Sequence, residues 1–411
     1  MNKKLLSLNL IILSLAIIII SGCSSGSRYA EKENVSIPTK TIPIRVLISD
    51  KVNNLNYLVE NPIVLLSGEK EIAIIKKGNV LTFSPDGSRI ILSISDKTFE
   101  SKYFELKSQI TGKTISFNGK NYNGLLKIIS DGENVKVINR VSLEDYLKGV
   151  VPAEMPTGSG DSYFQALKAF TICARTYAVM KMGSSNSLFD VYLDTRDQVY
   201  DGADIENPLS DKAVDETKNL ILTYNGKPAT VFYSAACGGH TEDAGNVFAG
   251  VEAPYLKGVK DGDPPNCSIE PGFNWRGKYA AKTIVERLKS AGQISNGNYI
   301  LKNIEVKSRF ESGRVNILQI TLDKINGGEK IIKIVGNNIR SIIRTPDNKH
   351  ILRSTMFNIS FKNGEVIING KGNGHGVGLC QWGAIRQSVD GKNYKQILSF
   401  YFPGTDIQEL K

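Results

Sequence analysis

The sequence predicts a single β-rich α+β domain, with helices inserted between runs of strands and an N-terminal part made of strands alone. Two observations lead there. Short apolar or alternating segments, separated by Gly, Asn and Asp, fill residues 43–142 and return over 301–370. Helical spacing occurs in separate stretches and not after each strand, which argues against a doubly wound sheet. No internal repeat of fixed period is visible.

The N-terminal strands are Ile44 to Ile48, Glu71 to Ile75, Arg89 to Ile94, Leu125 to Ile129 and Val135 to Val141. Asn118-Gly119 and Asn123-Gly124 are turn dipeptides. Leu167, Phe170, Thr171, Ala174, Tyr177 and Ala178 follow helical spacing, so a helix runs from a cap at Asp161 or Ser162 to about Met182, with Gly183 as its stop. Ser210 caps a second helix through about Lys218. Leu220 to Tyr224, Asn225-Gly226 and Ala229 to Ser234 read as a hairpin. Thr283 to Ala291 is helical. Asn326-Gly327 and Asn363-Gly364 turn the strands of 301–370. Trp382 to Val389 and Asn393 to Tyr401 are the closing helices, stopped by Pro403.

The first residues carry a different signal. Lys3 and Lys4 precede an apolar run, Leu5 to Ile20, which ends in Ile20-Ser21-Gly22-Cys23. A positive start, an apolar middle and small residues before a cysteine describe a secretory signal peptide with a lipid-attachment site at Cys23. The run is short for a spanning helix, which needs roughly 20 apolar residues. The expectation is a signal peptide over 1–22, a polar tether over 23–42, a β-rich part over 43–142 and a second part over 143–411. The chain is then exported and lipid-anchored to the outer face of a bacterial membrane.

About 370 residues remain beyond the tether, enough for a sizeable core. Apolar residues are 41% and charged residues 22%, an ordinary globular balance. The net charge of +10 is spread without a block of five like charges, so it describes a solvated basic surface. Nucleic acid is excluded as a partner by the expected export. Once Cys23 is lipidated, Cys173, Cys237, Cys267 and Cys380 remain. Export permits disulfides, and Cys237 with Cys267 is the expected pair. Cys173 and Cys380 are then a second pair or two buried thiols. No metal ligand is assigned, but zinc is the competing reading, because Cys237 and His240 stand in C-x-x-H spacing with Cys267 as a third candidate.

Three clusters carry the residue types of chemistry. In Val150-Val151-Pro152-Ala153-Glu154-Met155-Pro156, Glu154 stands between two prolines and beside apolar residues. Prolines fix the backbone and oppose helix, and an apolar setting raises a carboxyl pKa, so Glu154 is the candidate acid and base. In Gly370 to Ala384 alternate glycines surround His375 and lead to Gln381 and Trp382. The loop lacks both nucleotide-binding glycine patterns, so nucleotide binding is rejected. The third cluster, Tyr233-Ser234-Ala235-Ala236-Cys237-Gly238-Gly239-His240, presents Tyr233, Ser234 and His240, but it has no nucleophile elbow for a serine hydrolase. Gln198, Tyr200 and Gly202 are candidate sugar contacts, or simply a turn.

Taken together, these clusters resemble the stage II sporulation protein D family, also called the SpoIID/LytB domain. The resemblance rests on ordered matches. They are Leu143-Glu144-Asp145-Tyr146-Leu147 with Gly149 to Pro156, then Gln165 to Ala169 with Ala174-Arg175-Thr176-Tyr177-Ala178, and Gln198-Val199-Tyr200-Asp201-Gly202. They continue through Tyr233 to Thr241, Pro254-Tyr255-Leu256, Gly372 to Ala384, and Ile397 to Thr405. It covers about 43–408 and is strongest from 142 on.

The resemblance implies that 143–411 is a catalytic part. It implies lytic transglycosylase action on peptidoglycan glycan strands stripped of peptides, in company with an amidase. The family's catalytic glutamate falls on Glu154. Arg175, Gln198, Tyr200, Tyr233, Ser234, His240, His375 and Gln381 are then the expected substrate contacts. One carboxyl suffices for such an enzyme, because the sugar's own 6-hydroxyl replaces water as nucleophile. Zinc near the Gly-Gly segment of some relatives keeps Cys237 and His240 open as ligands. Cys173 and Cys380 depart from the small or hydroxyl residues expected at their positions. A second function fits the same resemblance: a non-catalytic glycan-binding module that activates a partner cell-wall amidase.

Overall fold

In the computed structural model, which describes residues 42–410 except 159, 183–186 and 326, strand Pro43–Val52 lies antiparallel to Val135–Ser142 with Pro43 opposite Ser142. The expected signal peptide, Cys23 and all but the last residue of the expected tether lie outside the described residues, as do Gly183 and Asn326. No described helix is long and apolar enough to cross a membrane.

The first strand pair stands second and third in a seven-stranded sheet. Its order is Val191–Tyr192, Pro43–Val52, Val135–Ser142, Leu125–Ser130, Tyr103–Ser108, Ile63–Ser67 and Lys70–Ile75. A four-stranded sheet formed by Leu55–Leu58, Val80–Asp86, Arg89–Ile94 and Lys97–Ser101 shares its core, where Phe83 and Phe104 meet at 5.9 Å. Asn118 and Gly119 have φ of 51° and 74°, and Asn225 and Gly226 have 52° and 73°. Both pairs are the left-handed central residues that a two-residue hairpin turn requires.

The chain then turns helical on the same core. Helix α1, Leu143–Glu154, is capped by the Ser142 hydroxyl, which accepts from Asp145 N–H at 3.1 Å. It buries Tyr146, Leu147, Val150 and Val151. Pro152 lies inside it, which corrects the expectation that the prolines keep Glu154 out of a helix. Proline there removes one backbone donor. The helix stops at once, with Met155 extended before Pro156, as the residue before a proline prefers.

Helix α2, Phe164–Lys181, is buried over most of the stretch from Ala166 to Ala178. A short 3-10 turn, Asp161–Tyr163, precedes it, so neither Asp161 nor Ser162 caps α2. Helix α3, Pro208–Glu216, is capped by Asn207 and not by Ser210: the Asn207 side chain accepts from Leu209 N–H at 3.0 Å, and Pro208 takes the first helical position. The expected strand Ala229 to Ser234 is reduced to Tyr233–Ser234, which pairs in parallel with Leu379–Cys380.

A second hydrophobic core, not distinguished in the sequence, is built by the residues that come between these two short strands along the chain. Its elements are α4 (Ala281–Ser290), α5 (Asn338–Ile343) and two three-stranded sheets. One sheet joins Asn274–Ala280, Glu365–Lys371 and Phe357–Lys362, and the other Tyr299–Arg309, Val315–Lys324 and Glu329–Val335. Leu318, Ile320, Leu322, Ile339 and Val366 are fully buried there. Helices α6 (Gln381–Val389) and α7 (Tyr394–Tyr401) return to the first core, α7 with a reciprocal cap between Asn393 and Gln396. The α+β, β-rich class read from the sequence is the fold observed.

Candidate active site

Glu154 ends α1, half-buried, where three other segments meet it. Val199 donates its backbone N–H to Glu154 Oε1 at 2.7 Å. The Tyr233 hydroxyl donates to the same oxygen at 3.5 Å. Gln381, the first residue of α6, brings its side-chain amide close enough to lower the carboxyl pKa. Burial works the other way and is the largest influence, so the Glu154 pKa is raised above that of a free glutamate. No second carboxylate is among the groups that set it.

The donors are themselves held. Gln198 is fully buried; its Oε1 accepts from Tyr146 OH at 3.3 Å, and its Nε2 donates to Tyr233 OH at 3.0 Å. A chain of hydrogen bonds thus runs from Tyr146 on α1 through Gln198 and Tyr233 back to Glu154. Phe170 of α2 meets the Tyr233 ring edge-on at 4.8 Å and fixes its plane. Tyr177 OH donates to Asp197 Oδ1 at 2.8 Å, and Asp197 Oδ2 accepts from Tyr192 N–H, which anchors the loop that carries Gln198 and Val199.

The glycine loop leads into the strand that pairs with Tyr233–Ser234. A Cβ on Gly376 would lie 2.2 Å from the Arg314 guanidinium, and one on Gly378 2.2 Å from the Phe232 carbonyl. Both residues have positive φ, so the alternation answers to close backbone approach. His375 packs edge-on against Phe248 at 5.1 Å. Burial, then the Arg340 and Arg314 charges, push its pKa down to about 3, against a hydrogen bond at the Tyr233 backbone. It is a neutral imidazole whose Nδ1 accepts from Val377 N–H at 3.0 Å.

The other expected contacts are redistributed. Arg175 is wholly buried and forms a two-point ion pair with Glu144, at 3.0 and 2.7 Å. Its remaining donors go to the Leu220 and Val214 carbonyls, so it joins α1, α2 and the following strand and has nothing left for a sugar. Tyr200 is 1% exposed and gives its hydroxyl to Asn139 at 2.8 Å, which makes it a core residue. Ser234 accepts from Gly376 N–H at 3.2 Å, while His240 Nδ1 lies 2.7 Å from the Thr241 carbonyl; they do not form a Ser–His pair. Tyr233, Gln381 and Glu154 meet, Gln198 supports them, and His375 lies in the glycine loop. Gln381 Nε2 is buried without a full hydrogen bond.

The expected disulfide is not formed. Cys237 and Cys267 sulfurs are 3.6 Å apart, and all four described cysteines are free and buried. Nor does His240 join them; the groups gathered there are Cys237, Asp261, Cys267 and Cys380. Cys173 is alone in α2, away from Cys380. Sequence reasoning missed Asp261, which has no periodic or motif signal, and Arg314, which reaches from the second core to donate to the Cys237 carbonyl at 2.5 Å.

Comparison with known proteins identifies the family. The family model described as stage II sporulation protein matches residues 131–224, the stretch that holds Glu154, Gln198 and Val199. The chain belongs to the stage II sporulation protein D family. A second model, a domain of unknown function (DUF8618), matches 265–378, which embraces the second core.

Among individual relatives, an uncharacterized protein of Brachyspira hyodysenteriae is 39% identical over 71% of this chain and 73% of its own length. The amidase enhancer of Bacillus subtilis is 30% identical over 72% of this chain, which spans only 45% of that protein. Stage II sporulation protein D of Bacillus subtilis is 28% identical over 66% of this chain and 76% of its own.

Proposed function

We propose that this chain is a peptidoglycan lytic transglycosylase, exported and held to the outer face of a bacterial membrane by a lipid on Cys23. The observation that carries the reading is the half-buried carboxyl of Glu154, which accepts from Val199 N–H and Tyr233 OH and whose pKa is raised by burial. A hydrolytic glycosidase commonly uses two carboxyl groups about the scissile bond. One is enough when the nucleophile belongs to the substrate. Protonated Glu154 gives its proton to the glycosidic oxygen as the bond to the anomeric carbon breaks. The resulting carboxylate takes the proton of the sugar's 6-hydroxyl as that oxygen bonds to the anomeric carbon. The products are a free 4-hydroxyl and a 1,6-anhydro end, and Glu154 is protonated again.

Tyr233, Val199 and Gln381 steady the carboxylate between the two transfers. The reading takes the substrate as a glycan polymer. Incubation with peptide-free glycan strands tests it: mass spectrometry is expected to find anhydro-muramic ends, and hydrated reducing ends would mean hydrolysis instead.

The likeness to the amidase enhancer supports a second reading, a glycan-binding module that activates a partner cell-wall amidase. On that reading the chain leaves glycan strands whole and raises the rate of an added amidase.

A further inference from the structure

Four ligand-bearing side chains converge where the glycine loop meets α6. Cys237 follows strand Tyr233–Ser234, Asp261 stands in a loop further on, Cys267 lies in the 3-10 turn Asn266–Ile269, and Cys380 ends strand Leu379–Cys380 just before α6. All four are 0% exposed, and their ligand atoms lie within 4.8 Å of one another. We propose that Cys237, Asp261, Cys267 and Cys380 form a closed, structural zinc site.

The geometry favours an ion over a covalent bridge. Zinc holds sulfur at about 2.3 Å and carboxylate oxygen at about 2.0–2.2 Å, so tetrahedral neighbours sit roughly 3.5–3.8 Å apart. The 3.6 Å between Cys237 and Cys267 sulfurs is such an edge. The set is also too tight for the corners of a cubic iron–sulfur cluster. Three thiolates with one hard oxygen suit Zn2+ better than Cu+, which prefers sulfur throughout.

The surroundings are those of ligands held in place. Cys237 N–H points to Cys380 Sγ at 3.2 Å. Asp261 receives Cys267 N–H at 3.0 Å on one oxygen and Tyr401 OH at 2.6 Å on the other. Such outer partners orient ligands. Among the described residues Asp261 has no basic partner in an ion pair, and a wholly buried carboxylate without a counter-charge is costly. A bound dication removes that cost. The remaining negative charge of three thiolates and one carboxylate faces the fully buried Arg314, whose guanidinium is bonded to the Cys237 carbonyl. With no open position, the ion staples loops and does no chemistry. Its place next to Gln381 ties it to a residue that meets Glu154.

The test is elemental analysis of the full chain, purified in detergent without chelator or added metal. About one zinc per chain is expected. Cys267→Ser and Cys380→Ser are each expected to lose at least nine-tenths of it, and Cys173→Ala to keep it. Where the serine variants fail to fold, the wild-type chain decides: after exchange into Co2+ it is expected to show thiolate-to-cobalt charge-transfer absorption, and mercurial titration to release one zinc as three thiols react. A metal-free wild-type chain with a Cys237–Cys267 disulfide in non-reducing peptide maps overturns the proposal. So does zinc retained in full by the Cys267→Ser, Cys380→Ser double variant. None of these readings uses enzymatic activity, so they stand or fall apart from the role of Glu154.

Discussion

Val199 N–H lies 2.7 Å from Glu154 Oε1, and this bond joins the end of α1 to a loop that follows α2. It gives the carboxylate form a fixed donor while burial favours the protonated form. A carboxyl balanced in this way can serve as acid and then as base within one turnover.

Tyr233→Phe removes the hydroxyl between Gln198 and Glu154. That hydroxyl lowers the Glu154 pKa, so its loss raises the pKa further. The protonated acid then persists to higher pH, and the alkaline limb of the kcat/KM profile is expected to move upward. The rate at the optimum is expected to fall roughly tenfold, the size of one hydrogen bond to a charged group. A pH–rate profile with an unmoved limb contradicts the hydrogen-bonded chain.

Glu154→Gln is expected to change stability as a function of pH. The folded pKa lies above the unfolded one, so below the unfolded value the wild type bears no cost. As pH rises through that window, the ionised carboxylate in a desolvated site costs stability. The variant, which keeps an oxygen for Val199, should melt higher than wild type at pH 7.5 and alike at pH 4. Equal melting curves at both pH values contradict it.

His375 supplies the opposite dependence. Its folded pKa of about 3 lies below the unfolded value near 6.5, so its contribution is full above pH 6.5 and is lost as pH falls toward 3. His375→Asn keeps an acceptor for Val377 N–H and cannot be charged. Urea midpoints at pH 7 and pH 5 should fall less between them for the variant than for wild type.

Arg175 is assigned to the core, and Arg175→Lys tests that. Lysine cannot make the two-point pair with Glu144 and also reach the Leu220 and Val214 carbonyls. A loss of about 2–4 kcal/mol in urea unfolding is expected, with KM unchanged per folded molecule. Full stability with a raised KM would return Arg175 to the substrate.

Much of this was legible in the sequence. Asn118-Gly119, Asn225-Gly226 and Asn363-Gly364 give themselves away because few residues accept positive φ at both central positions. Glu154 stood out by its prolines, though for a wrong local reason: a proline near a helix end removes one donor, and packing of Tyr146, Leu147 and Val151 outweighs it. The second core was hidden because its strands have the same pattern as those before α1. Arg175 and Tyr200 looked like sugar contacts because residue type tells nothing of burial. Cys380 as a neighbour of Cys237 depends on a parallel pairing across the whole second core, and local spacing cannot report that.

The measurement that tests the central claim most directly compares wild-type chain and Glu154→Gln on peptide-free glycan strands, with products read by mass spectrometry. The account predicts anhydro-muramic ends from wild type and a rate at least a hundredfold lower for the variant, the span of general acid–base catalysis. Equal cleavage by both, or glycan binding without cleavage by either, would contradict it.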